Sequence, residues 1–174
     1  MAILMFAARI HHLTSSINRH QARLTEITRR ISDLQSYAAS IADGSISMQD
    51  MMDVPASMFG RMFTYAGFSH NQAMMNASTQ MNDPGFQAML GMQTQNMDPQ
   101  AQQAYMNWVQ QSLYKQAREQ INKQEARLLN QQEKELTQEK EKLEATIKME
   151  EADLESARKA RDKGIEQFAP KYVA

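Results

Sequence analysis

The chain has 174 residues, 42% of them hydrophobic and 22% charged, a balance that fits one soluble folding unit and sets aside disorder and collagen-like repeats. Its formal net charge of -1 excludes a protein that holds nucleic acid or an anionic membrane surface chiefly through surplus Lys and Arg. The absence of cysteine removes disulfides, thiol catalysis and cysteine-based zinc sites.

The opening apolar cluster, Ala2 to Ala8, is shorter than most signal-peptide cores and has no basic residue before it. We expect this end to be structure, which leaves the chain cytoplasmic or secreted by a leaderless route. No apolar run reaches the length of a membrane span, about 18 residues, so no transmembrane segment is expected.

The first element is organised by an alternating three-four spacing: Ile3, Phe6, Ile10, Leu13, Ile17, His20, Leu24, Ile27, Ile31, Leu34, Ala38 and Ile41. This heptad seam predicts a helix about 57 Å long, at about 1.5 Å per residue, that must pack against another helix. Beside the seam, Arg9, Arg23 and Arg30 form a basic edge that calls for acid on the partner. The back of the helix reads Leu4, Ala8, His11, Ser15, Asn18, Ala22, Thr25, Ser32 and Ser36, with only Arg29 charged, where a solvated face normally carries many Lys and Glu. It is either a Ser/Thr-rich face left in water or a second packing surface.

Asp43 and Gly44 suit a helix stop, and Ser47 with Asp50 resembles a capping box for the next helix. From Met48 to Met97 the chain turns methionine-rich, with Phe59, Phe63, Tyr65, Phe68 and Phe86 interleaved. Pro55, Gly60, Gly67, Pro84, Gly85 and Gly91 predict short helices joined by turns. Asp83-Pro84 and Asp98-Pro99 each fit a cap followed by proline at the first helical position.

Beyond Pro99, strong helix formers continue to about Phe168, a helix of about 105 Å at about 1.5 Å per residue. Its thinner stripe includes Leu113, Ala117, Ile121, Leu128, Leu129, Leu136, Leu143, Ile147, Leu154, Ala157 and Ile165, mixing steps of seven and eleven, so strict heptad winding is not expected. Pairs such as Glu119 with Lys123 and Glu155 with Lys159 mark a wet back.

The expected fold is all-α: an elongated antiparallel helical hairpin or coiled coil, with short helices in the methionine-rich middle. Its parts are a heptad helix at 1–42, the middle at 43–98, a charged helix at 99–169 and a tail at 170–174. The first 41 residues hold five Arg against Glu26 and Asp33, while the rest of the chain is net acidic, so the two long helices complement each other. The hairpin places Ile3 near Phe168 and Ile41 near Leu129.

Catalysis finds little footing: there is no glycine-rich phosphate loop, nucleophile elbow or HExxH arrangement. No cofactor and no metal is expected. His20 in the seam reads as a hydrogen-bonded polar residue, a register or pH-sensitive position, or a metal ligand needing donors from another helix. The methionines allow Cu(I) ligation, but among Phe and Ala they read better as an adaptable apolar surface. Tyr105, Trp108 and Tyr114 stand among glutamines, not in a basic patch, so nucleic acid is not expected as a partner.

In plan, with long helices at both ends, an irregular middle, no cysteine and many small polar residues, the chain is similar to leaderless secreted filament subunits of the flagellin and type III secretion kind. That resemblance implies filament formation. The residues expected at interfaces are Ile3, Phe6, Ile10, Leu13, Ile17, His20, Leu24, Ile27, Ile31, Leu34, Ile41, Met58, Met62, Leu136, Leu143 and Leu154. The expected function is a non-enzymatic structural protein that self-assembles as a homo-oligomer or filament through its N-terminal helix. The alternative is a helical adaptor or holdase whose methionine-rich middle binds a partner's amphipathic helix.

Overall fold

The computed structural model describes residues 2–42 and 48–168, with side chains for 4–42 and 49–167. The expected stop at Asp43 and Gly44, the Ser47 cap, the tail at 170–174 and the side chains of Ile3 and Phe168 lie outside the described residues. Among the described residues five helices follow one another: α1 (Ala2–Ile41), α2 (Met48–Asp53), α3 (Ala56–Met81), α4 (Pro84–Thr94) and α5 (Pro99–Phe168). No strand occurs among the described residues, and the fold is all-α. The chain divides into two compact units, residues 1–32 with 133–174 and residues 33–132.

In the first unit α1 buries Leu13, Ile17 and Ile27, each worth about 1.5–3 kcal/mol of transfer free energy before entropy is counted. Phe6, Ile10, His20, Leu24 and Ile31 are half-buried. Arg9 pairs with Asp153 at 3.2 Å and Arg23 with Glu139 at 3.0 Å, so the two helices run antiparallel here and the basic edge meets acid. The covered positions of α5 here include Leu136, Lys140, Leu143, Ile147, Glu150, Leu154, Ala157, Arg161 and Gly164. Three of them are polar, and Ile165, counted in the expected stripe, is exposed.

The expected register is corrected. Setting Ile3 against Phe168 would bring Arg23 to face Lys148, whereas Arg23 meets Glu139. In the second unit Asn122 Nδ2 donates to the Ile41 carbonyl at 3.4 Å, a heptad away from the expected neighbour Leu129. Apolar seams offset by seven residues are nearly equivalent, so charge decides among them.

The second unit buries Leu34, Tyr37 and Ile41 of α1, Met62, Tyr65, Ser69, Ala73 and Ala77 of α3, Leu90 and Thr94 of α4, and Val109, Ala117, Ile121 and Leu129 of α5. The Met-rich stretch does not break at every glycine. α3 runs unbroken for 26 residues through Gly60 and Gly67, and Gly91 lies inside α4. A lone helical glycine costs only about 1 kcal/mol, less than the packing of the Met62 to Ala77 face returns. Breaks fall instead at Pro55, beside Asp83-Pro84 and before Pro99, where an N–H is missing or capped. Asp83 accepts from Phe86 N at 2.9 Å and Asp98 from Ala101 N at 2.7 Å.

Ile17 and Lys134 should therefore respond in opposite ways to the same substitution. Ile17→Asp buries a carboxylate without a partner and is expected to cost about 3 kcal/mol or more; Lys134→Asp, on an exposed position, should change stability by less than about 0.5 kcal/mol. Urea unfolding followed by circular dichroism measures both, and equal losses would reverse the assignment of buried and wet faces.

Candidate functional site

Three arrangements carry polar chemistry or unusual exposure. The first, in the unit of residues 1–32 and 133–174, centres on Glu150. Ser16 Oγ donates to Glu150 Oε1 at 2.7 Å, and His20 Nδ1 lies 3.0 Å from Glu150 Oε2. The Ser16 hydroxyl, aided by His20 and by the field of His12, holds the Glu150 carboxyl below its ordinary value against the opposing effect of burial. The carboxylate sits between serine and histidine, so no imidazole is placed to take the serine proton, and the cluster is a polar knot in an apolar seam. No group of three His, Cys, Asp or Glu able to hold a metal ion occurs among the described residues.

The second lies in the unit of residues 33–132. Glu125 Oε1 accepts from Tyr37 OH at 3.1 Å and from Arg61 Nε at 2.9 Å, while the Arg61 guanidinium stands 5.4 Å from the centre of the Tyr37 ring. Burial first, then the charge of Glu125, pushes the Tyr37 phenol well above its ordinary value, so it stays a donor. Tyr65 OH donates to Asn122 Oδ1. These groups satisfy one another and present no open reacting position.

The third is the outward face of α3. At about 100° per residue, the core residues Met62, Tyr65, Ser69 and Ala73 turn one way, and a line of small or neutral polar residues (Gly60, Thr64, Gly67, Asn71 and Ser78) turns the other. Phe59, Phe63 and Met74 border this line on one side, Phe68 and Met75 on the other. All five are exposed, Phe63 at 66% and Met75 at 63%. A Cβ added at Gly60 or Gly67 would meet nothing within 4 Å, so neither glycine answers a packing need inside the chain. From Val54 to Met97 the only charged residues are Arg61 and Asp83. Arg61 is bound to Glu125 and Asp83 caps α4, so neither charge is spent on the outer face.

Elsewhere in this unit an open groove of about 800 Å³ is lined by Asn76, Thr79, Phe86, Met89, Leu113 and Gln120 among others, a mixture of apolar, amide and hydroxyl groups.

Of the interface residues expected from sequence, Leu13, Ile17, Ile27, Leu34, Ile41 and Met62 are buried within the single chain, and Phe6, Ile10, His20, Leu24, Ile31, Met58, Leu136, Leu143 and Leu154 are half-buried. The side chain of Ile3 lies outside the described residues. The α1 back face, from Ala8 to Ser36, is exposed in the chain. Sequence reasoning passed over Ser16, Tyr37, Arg61 and Glu125, and treated Phe59 and Phe63 as part of a general apolar surface. The available signal was the loss of charge from Val54 to Met97 combined with Gly60 and Gly67 one heptad apart.

No protein-family model matches this chain, and no curated protein or solved structure matches it either.

A depressed carboxyl stabilises the fold above its unfolded value, and that contribution disappears as pH falls through the lower folded value. The Glu150 knot should therefore support the first unit at neutral pH and be lost in acid, below about 4.5. Ser16→Ala, which removes the largest cause, is expected to narrow the gap between urea midpoints measured at pH 7 and pH 3. An unchanged gap would show that Ser16 does not govern Glu150.

Proposed function

We propose that this is a non-enzymatic structural protein that self-assembles, and that the outward face of α3 is where one copy meets another. The single observation carrying this reading is the exposed, charge-free run of Phe and Met on α3. Depletion of charge with enrichment of aromatic residues and Met is the composition of an interface core. Five such side chains at about half exposure or more leave on the order of 600 Å² of apolar surface, at the upper end for the largest patch of a monomer.

A neutral face offers no sign for an oppositely charged partner to read, and it is complementary to itself. A second copy related by a two-fold axis meets like with like and leaves no ion unpaired. The Gly60 and Gly67 line lets two helix backbones approach closely between the Phe and Met ridges. In this reading α1 and α5 form an antiparallel coiled-coil hairpin in the first unit, whose charged outer surface supplies solubility. The self-contact expected along the α1 seam moves to α3, because the chain's own residues already cover most of that seam.

A second reading has the groove near Phe86 and Met89 in its favour. There a foreign amphipathic helix would set its apolar face on Phe86, Met89 and Leu113 and its neutral polar edge against the amides, and the protein would be an adaptor or holdase.

Size-exclusion chromatography with light scattering separates the two. Self-assembly predicts an oligomer at tens of micromolar, with Phe63→Glu weakening association about tenfold or more by burying a charge. Gly60→Ala with Gly67→Ala should stabilise the isolated subunit by about 0.5–1 kcal/mol per site and still weaken association. A monodisperse monomer that binds apolar dyes strongly would favour the adaptor and defeat self-assembly.

A further inference from the structure

We propose that Met74 and Met75 make the α3 face an oxidant-sensitive contact, the two thioethers being modification sites whose oxidation dissolves the assembly. This rests on the reading of the α3 face as the self-contact. The two residues sit on the opposite ridges of that face, 47% and 63% exposed, whereas Met62 on the inner side of the same helix is fully buried. No cysteine is present to react first.

The reaction needs only a peroxide. A sulfur lone pair attacks the O–O bond of hydrogen peroxide, the S=O bond forms, and the remaining oxygen leaves as water. The sulfur loses two electrons and the peroxide gains them. A flexible apolar side chain becomes a polar one with a strong acceptor oxygen, and enzymatic reduction of the sulfoxide reverses it.

Position decides the consequence. On a charged surface a sulfoxide would be one polar group among many, but the outer face of α3 carries no charge. Closing two copies over Met74 and Met75 would then strip water from sulfoxide oxygens set among Phe and Gly, with only the Asn71 amide and the Ser78 hydroxyl nearby to donate, and any oxygen left unpaired pays the penalty of a buried acceptor. Reduced methionines are the opposite case, adaptable side chains that fill the space between aromatic rings.

The test treats the full chain with hydrogen peroxide and reads two things, peptide mass mapping and light scattering. At a dilution where the subunits are apart, Met74 and Met75 are expected to convert about tenfold or more faster than Met62, the association constant to fall about tenfold or more, and methionine sulfoxide reductases to restore it. Met74→Leu with Met75→Leu is compared with itself before and after peroxide, and its association should change less than about twofold. An untreated oligomer that remains intact with both residues converted overturns the switch while leaving the self-contact standing. Loss of assembly in the double Leu variant also overturns it, since other methionines would then be responsible. An untreated chain that is monomeric at tens of micromolar removes the self-contact and the switch together.

Discussion

The unit of residues 33–132 depends on one carboxylate. Glu125 receives Tyr37 from α1 and Arg61 from α3, and Arg61 Nη1 also donates to Gln132 Oε1 at 2.7 Å. Withdrawing an ion pair from water costs several kcal/mol per ion unless nearly every polar atom finds a partner, so the three helices are not free to slide independently. Among the described residues no buried side-chain nitrogen or oxygen lacks a partner. The constraint also fixes the rotation of α3. With Arg61 directed at Glu125 and Met62 in the core, helical geometry turns Gly60 and Phe63 outward. The face with the exposed ridges follows from where the charge is anchored.

The contrast with α5 gives that face its meaning. Where the chain is wet it uses charge in close helical pairs, Glu119 with Lys123 at 2.7 Å and Glu155 with Lys159 at 2.6 Å, both largely exposed. Such pairs contribute little to stability, but they keep a long helix soluble. α3 has neither these pairs nor any Glu or Lys, and it includes two glycines that a single copy does not need. Exposed Phe next to helical Gly is unfavourable for an isolated subunit on both counts. The cost becomes intelligible when two backbones meet along Gly60 and Gly67.

The all-α class was legible because apolar period and helix propensity agree over most of the chain. The α1 stripe was legible for the same reason, and so were the caps at Asp83 and Asp98, where residue type and backbone need coincide. What escaped was polar residues acting at core positions. Ser16 and Tyr37, both one step off the seam, read as flanking residues, yet both are buried. Lys140, Glu150 and Arg161 are covered positions of α5 that an apolar count does not see. Gly60 and Gly67 signalled breaks in a helix that tertiary packing carries straight through. Each miss has one source: local preference was weighed without the partner that overrides it.

Those polar residues explain how a repetitive seam settles on one alignment. A heptad stripe shifted by seven residues still sets apolar against apolar, so Leu and Ile alone leave several registers close in energy. Shifting the α1 and α5 segments of the first unit by one heptad would bring Ser16 and His20 against Leu143 or Ala157, neither of which can accept their hydrogen bonds, and would strand Glu150. The loss of a partly buried hydrogen bond to a charged group, about 1.5–3 kcal/mol, then separates registers that apolar burial does not. The pair need add little to stability relative to an apolar alternative to act in this way. Its effect is on the competing alignments, each of which leaves a polar group in the seam without a partner.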